Sequence, residues 1–203
     1  MTKTLSCAFH TALLGTALVL MAFETSGAET SPPKTQAVSP TGVPYIIREK
    51  TDYIVVHCSD TPATMDVGAA EIRQWHTSKD PHDPSKPWID IGYHYVIRRN
   101  GTLETGRPAG VVGSHAKGYN DRSVSVCLIG GKDCNNFTRE QIQALGKIVD
   151  ELKTRYPAAK VVGHHDLSGG KTCPQFDAAA WYRLRKEKEA AKTSATSAGR
   201  RPG

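Results

Sequence analysis

Cysteine is scarce in this chain and odd in number, with five among 203 residues. That count gives no clear disulfide framework and argues against a small scaffold held together by bridges. Internal repeats are missing too, which excludes a solenoid or propeller. Net charge is almost absent from most of the length: residues 1–182 hold 19 Lys/Arg against 18 Asp/Glu, while residues 183–203 hold 7 against 2, so the formal +6 sits mainly in the tail. A body so close to neutral offers no broad cationic surface, and no nucleic-acid partner is expected. With 38% hydrophobic and 23% charged residues the composition is not that of a disordered protein. It has material for one compact domain with tails, expected to be a monomer.

The N-terminus carries Lys3, an uncharged run Thr4–Phe23 with its apolar centre at Ala12–Phe23, and then the small residues Ser26-Gly27-Ala28. This is the pattern of an export signal. Cys7 precedes the apolar run, so it has no lipoprotein context. Thr25–Pro44, rich in Pro, Ser, Thr and Gly, reads as a linker. The expected layout is a signal peptide or signal anchor over residues 1–28, a flexible linker over 29–50, a compact domain over 51–189 and a basic, disordered tail over 190–203. That tail can contact anionic envelope components, because its attraction is not chemically selective. Membrane contact is expected only through the N-terminal segment.

Asp52–Ser59, apolar and β-branched, reads as a buried strand ending at His57. Asp66 is placed to cap a helix reaching about Lys79, and Asp80–Pro87, with its three prolines, as loop. Tyr93–Arg98 and Thr102–Thr105 flank Asn100-Gly101, a pair suited to a two-residue hairpin turn. Ser123–Ile129 alternates, with Val124, Val126 and Leu128 on one face. Thr138 with Gln141 makes a capping box for a helix whose stripe is Ile142, Leu145, Ile148/Val149, Leu152 and Tyr156, stopped by Pro157. Lys160–His164 is a last short strand, and Asp177 caps a C-terminal helix. Unaided, these elements suggest a mixed sheet with helices on its faces.

The segment His164-His165-Asp166-Leu167-Ser168-Gly169-Gly170-Lys171-Thr172-Cys173-Pro174, with His57, offers the nitrogen and sulfur donors of a three-ligand zinc site that leaves its fourth position to water. One thiolate would leave the metal with a net charge of about +1, enough to activate that water for attack on a carbonyl. His164 and His165 cannot both face one metal if they lie on one strand, because successive side chains point to opposite faces.

Around these residues His57-Cys58-Ser59-Asp60-Thr61, Glu71-Ile72-Arg73-Gln74-Trp75-His76, Gly92-Tyr93-His94, Gly113-Ser114-His115-Ala116-Lys117-Gly118-Tyr119-Asn120 and Val126-Cys127-Leu128-Ile129-Gly130-Gly131 follow in order. Over Thr51–Trp181 the chain thereby resembles the type 2 N-acetylmuramoyl-L-alanine amidases, a superfamily shared with peptidoglycan recognition proteins, and within it the lysozyme-type endolysins of T-odd bacteriophages. The resemblance implies a single α/β domain: a central mixed sheet flanked by helices, with zinc in a groove at one sheet face. It implies His57, His164 and Cys173 as the Zn²⁺ ligands, Tyr93 and Lys171 as the catalytic pair, and His115, Trp75 and His76 as substrate contacts. One extra residue in Ser168-Gly169-Gly170 departs from the phage pattern, and a Gly-Gly loop can absorb it. Peptidoglycan is the implied substrate, cut between N-acetylmuramic acid and L-alanine of the stem peptide.

Host lysis, cellular wall remodelling and non-catalytic peptidoglycan binding are the competing roles. Superfamily members that bind without cutting typically lack a zinc ligand, whereas all three positions are filled here. The phage-type endolysins also inhibit their phage RNA polymerase, a role that an export signal disfavours. The expected location is the periplasm or cell wall, with a transient inner-membrane tether if the N-terminus stays on. Thr4–Phe23 suits either a cleaved signal or a releasable anchor, and Ser26-Gly27-Ala28 favours cleavage. Sequencing the amino terminus of protein recovered from the periplasm should find Glu29 or a near neighbour; an intact Met1 on soluble, active protein would mean a releasable anchor.

Overall fold

The computed structural model describes residues 37–80, 82 and 87–198. The expected export signal lies outside them. Five strands form one mixed sheet in the order β3-β2-β4-β1-β5. They are β1 (Tyr53–Cys58), β2 (Tyr95–Ile97), β3 (Leu103–Thr105), β4 (Ser123–Leu128) and β5 (Lys160–Gly163). β1 runs parallel to β4 and β5, β2 runs parallel to β4, and only β3 is antiparallel to its neighbour. The helices are α1 (Ala69–Thr77), α2 (Arg139–Arg155), α3 (His164–Leu167) and α4 (Ala178–Ala198).

The β-branched residues of β1 and β4 form the larger core. Ile54, Val56, Val124, Val126 and Leu128 pack with Leu145, Ile148, Val149 and Leu152 of α2 and Ala178 of α4. A smaller cluster on the other face joins Ile72 of α1 to Ile91, Val96 and Ile129, with Tyr93 packed against it. α2 begins at a reciprocal cap: Thr138 Oγ1 accepts from the Gln141 N–H at 3.1 Å, and the Thr138 N–H donates to Gln141 Oε1 at 3.1 Å. Gln141 is fully buried, and its amide also donates to the carbonyls of Ile129 and Ile97 at 2.8 and 3.2 Å. It therefore takes the buried position beside the half-exposed Ile142.

Several boundaries differ from the sequence reading, each for a physical reason. Gly68, not Asp66, precedes α1: its N–H donates to the Glu71 carboxylate, the Ala69 N–H donates to Glu104 from β3, and Asp66 pairs with Arg98 instead. The hairpin between β2 and β3 closes on three residues, Arg99-Asn100-Gly101, because the register of Ile97 with Leu103 continues to Arg98, whose N–H donates to the Thr102 carbonyl at 2.9 Å, and only Gly101 of the three takes a positive φ, +85°. β5 stops at Gly163, and His164 opens α3, where the Gly163 N–H donates to Asp166. α4 continues to Ala198, so the helix extends into the segment 190–203 that the sequence suggests as a disordered tail.

The segment expected as a linker up to residue 50 is docked from Ala37 onward. Tyr45 is 3% exposed and donates to Asp90, while Arg48, at 8%, donates to the carbonyls of Ala109 and Val111. Burial raises the Tyr45 phenol and lowers the Arg48 guanidinium. Those two side chains turn a polar stretch into a strap.

Gln141→Leu should destabilise the domain by at least about 2 kcal/mol, because it orphans buried donors and acceptors at once, whereas Lys147→Ala on the exposed side of α2 should stay within about 0.5 kcal/mol. Denaturant unfolding checks both, and equal effects would remove Gln141 from its structural role.

Candidate metal centre

Two parallel strands, β1 and β5, deliver the two imidazoles at their carboxyl ends. Val56 pairs with Gly163, so the next residues outward are His57 on β1 and His164 at the start of α3. Their rings lie 4.5 Å apart, centroid to centroid. Cys173 returns on the loop after α3, and the donor atoms of His57, His164 and Cys173 all lie within 4.8 Å of one another. His57 Nδ1 faces Cys173 Sγ at 3.8 Å.

His165, next to His164 but about 100° further round the helix, does different work. Its N–H donates to the Cys173 carbonyl at 2.8 Å, its Nδ1 lies 2.9 Å from the same oxygen, and its Nε2 contacts Asp166 at 3.2 Å. It clamps the loop that carries Cys173. The Cys58 N–H donates to Cys173 Sγ at 3.1 Å, and the two thiols are in hydrogen-bonding contact.

Burial, followed by the neighbouring imidazoles, holds His57 well below its ordinary value; burial and then Lys171 lower His164. Both are neutral imidazoles with a lone pair to offer at neutral pH. The contact with Cys58, reinforced by burial, pushes the Cys173 thiol far up. Such a thiol gives up its proton only to a cation placed against it. Two neutral imidazoles and one desolvated thiol on a common centre fit a zinc ion with one position open.

Beneath the site, β4 is buried on both faces. The alternation in Ser123–Leu128 separates core from site, not core from solvent. Ser123 approaches His115, Ser125 holds the buried His94, and Cys127 is in contact with the Tyr93 hydroxyl. His94 Nδ1 accepts from the Ser125 N–H at 3.1 Å, which puts its proton on Nε2 toward the Val111 carbonyl at 3.0 Å. Burial holds its pKa at about 4.

Two concavities flank the centre. A cavity of about 290 Å³ is lined by Cys58, Ser59, Asp60 and the Gly170–Cys173 loop, and a larger one of about 650 Å³ by Trp88, Ser114, His115, Lys117 and Asn120. Tyr93, His164 and Lys171 line both. The Tyr93 ring packs 5.2 Å from His57, and burial lifts its phenol well above the ordinary value. Of the expected substrate contacts, His115 lines the larger cavity but also approaches His57 at 3.0 Å. His76 stands behind the cavity wall, 4.5 Å from Trp88 and 5.6 Å from Tyr93 by ring centroids, and accepts from the Gly92 N–H. Trp75 is 40% exposed and lines neither cavity. Trp88, which follows the proline-rich loop and carries no motif signal of its own, is the aromatic that walls the groove.

Residues 48–176 match the family model of N-acetylmuramoyl-L-alanine amidases. The endolysin of Klebsiella phage KP32 is 49% identical over 145 residues, 69% of this chain and 91% of the relative. That of Escherichia phage T7 is 45% identical over 140 residues, 66% and 87% of the two chains. Among solved structures, an N-acetylmuramoyl-L-alanine amidase endolysin from Clostridium intestinale superposes with a TM-score of 0.57 at 27% identity, covering 66% of this chain and 82% of its own. Drosophila peptidoglycan recognition protein LB, at 24% identity and a TM-score of 0.55 over 71% of this chain and 85% of its own, shares the fold.

Because both imidazoles are already neutral, loading the metal-free protein with zinc at pH 7 should release about one proton, from Cys173. Calorimetry in buffers of different ionisation enthalpy counts it. Release of two or three would mean that the histidines start out charged.

Proposed function

Since this chain belongs to the N-acetylmuramoyl-L-alanine amidase family, we propose that it is a zinc-dependent endolysin. It cuts the amide between the lactyl group of N-acetylmuramic acid and L-alanine of the stem peptide, acting on peptidoglycan from the periplasmic side. The observation that carries this reading is the convergence of His57, His164 and Cys173 between two cavities, with Tyr93 and Lys171 on the rim of both. A scissile bond placed there has room for a glycan on one side and a peptide on the other. The 45–49% identity to phage endolysins supports lysis as the role.

His57, His164 and Cys173 would hold the ion, which would supply Lewis-acid polarisation of the scissile carbonyl and acidify water. The remaining steps belong to the chain's own groups. Tyr93, kept a neutral phenol by burial, orients the attacking water and relays a proton to the departing amine, recovering it from the proton that the water gives up. Lys171, exposed on the loop beside Cys173, brings a positive charge to the oxygen where negative charge develops. Trp88 and the Ser114–Lys117 loop wall the larger cavity, and Lys117 suits the carboxylates of a stem peptide. Export through Thr4–Ala28 would bring the enzyme to its substrate, where the basic C-terminal tail can lie against anionic envelope material.

Digested peptidoglycan should gain free L-alanine amino termini and no new reducing ends, and Tyr93→Phe should keep zinc and fold while losing roughly 10²–10⁴-fold in turnover. New reducing ends without new amino groups would make the protein a glycosidase. Near-normal turnover in Tyr93→Phe would move proton transfer to another residue.

A further inference from the structure

A chain of buried hydrogen bonds runs from the metal centre into β4, and its polarity can be read from its far end. Ser123 is fully buried, and its Oγ lies 2.6 Å from the Tyr119 carbonyl oxygen and 3.4 Å from His115 Nε2. A carbonyl only accepts, so the single hydroxyl proton of Ser123 goes to Tyr119 and a lone pair faces His115. His115 Nε2 therefore carries a proton. The side chains in contact with the ring are the Ser123 hydroxyl and the imidazoles of His57 and His94, and among the described residues no carboxylate is bonded to it that could partner an imidazolium, so its Nδ1 is bare. That bare nitrogen is 3.0 Å from His57 Nε2. His57 must then donate through Nε2, and its Nδ1 is left unprotonated, 3.8 Å from Cys173 Sγ and on the side where the three donors converge.

From this polarity we infer that Ser123 and His115 are positioning residues that fix the tautomer of His57, so that His57 meets the metal through Nδ1. The opposite polarity would put a proton on His57 Nδ1, facing the thiol, with no lone pair for an ion. His115 is itself held in place. Its N–H and that of Ala116 both donate to Asn120 Oδ1 at 2.8 Å, and a Cβ on Gly113 would come within 2.5 Å of its ring. His94, whose ring centroid is 5.6 Å from that of His115, is engaged with Ser125 and Val111 and does not compete for the relay. The role expected from the sequence, contact with substrate, is thus joined by a second one on the ring's inner side.

The inference rests on the zinc reading above, and the two fail differently. Zinc affinity of the full chain, measured by competition with a chromophoric chelator, needs no turnover. Ser123→Ala and His115→Leu should each weaken zinc binding by roughly 10- to 100-fold, while His115→Asn, which keeps an acceptor near the Nδ1 position, should stay within about threefold of the wild type. Ser123→Ala removes one oxygen only, and circular dichroism of the metal-free variants checks that they fold. ¹⁵N NMR of the zinc-loaded wild type, which needs no variant, should show His57 metallated at Nδ1 and protonated at Nε2. His57 bound through Nε2, or unchanged zinc affinity in both Ser123→Ala and His115→Leu, overturns the inference. A wild type that binds no zinc overturns the metal reading on which it stands.

Discussion

The parallel register of β1 against β5 is the constraint on which the rest of the site depends. Val56 opposite Gly163 brings His57 and His164 out side by side where the two strands end. Neither imidazole has to be carried there by a flexible loop. Only Cys173 comes from a loop, and His165 grips that loop by its carbonyl while the Cys58 N–H meets its sulfur. A slip of one residue in this pairing would turn His57 to the opposite face of the sheet. The hydrophobic packing of Ile54, Val56 and Val161 against α2 and α4 is what forbids the slip. Core and chemistry are thus two faces of one strand register.

The second requirement is electrostatic. A pocket that strips water from four imidazoles, three thiols and a phenol would be costly if any of them had to be charged without a partner. Here burial drives the histidines toward the neutral form and the Tyr93 phenol toward the protonated form, and the contact with Cys58, reinforced by burial, keeps the proton on Cys173. The inward face of β4 supplies small polar partners, Ser123, Ser125 and Cys127, one for each of His115, His94 and Tyr93. Around the three donors the site is polar, with no carboxylate among them, and the side chains of Asp60, Lys117 and Lys171 stand in the lining of the two cavities. That arrangement favours binding a cation and then holding its ligands still.

Much of this was legible in the residues. The β-branched run before His57 and the capping box at Thr138 and Gln141 each carry their physical reason in local sequence, whereas the choice of His164 over its neighbour His165 came from the resemblance. What was not legible depends on partners distant in the chain. Glu104 caps α1 from another strand, so Asp66 looked like the better cap. Tyr45 and Arg48 look like isolated residues of a polar linker until Asp90, Ala109 and Val111 are brought to them. The alternation of β4 is visible, but period two alone does not say whether the second face meets solvent or a buried site. Trp75 and Trp88 are equally aromatic on paper, and only the fold shows that the second one walls the groove.

The central claim is that one thiolate and two imidazoles on this strand register hold a single zinc ion with an open position. X-ray absorption at the zinc edge of the loaded protein tests it most directly. The account predicts one sulfur at about 2.3 Å, with two imidazole nitrogens and one water oxygen at about 2.0–2.1 Å. A shell with no sulfur, or with two or more, would contradict it, because it would take Cys173 out of the centre or bring Cys58 into it.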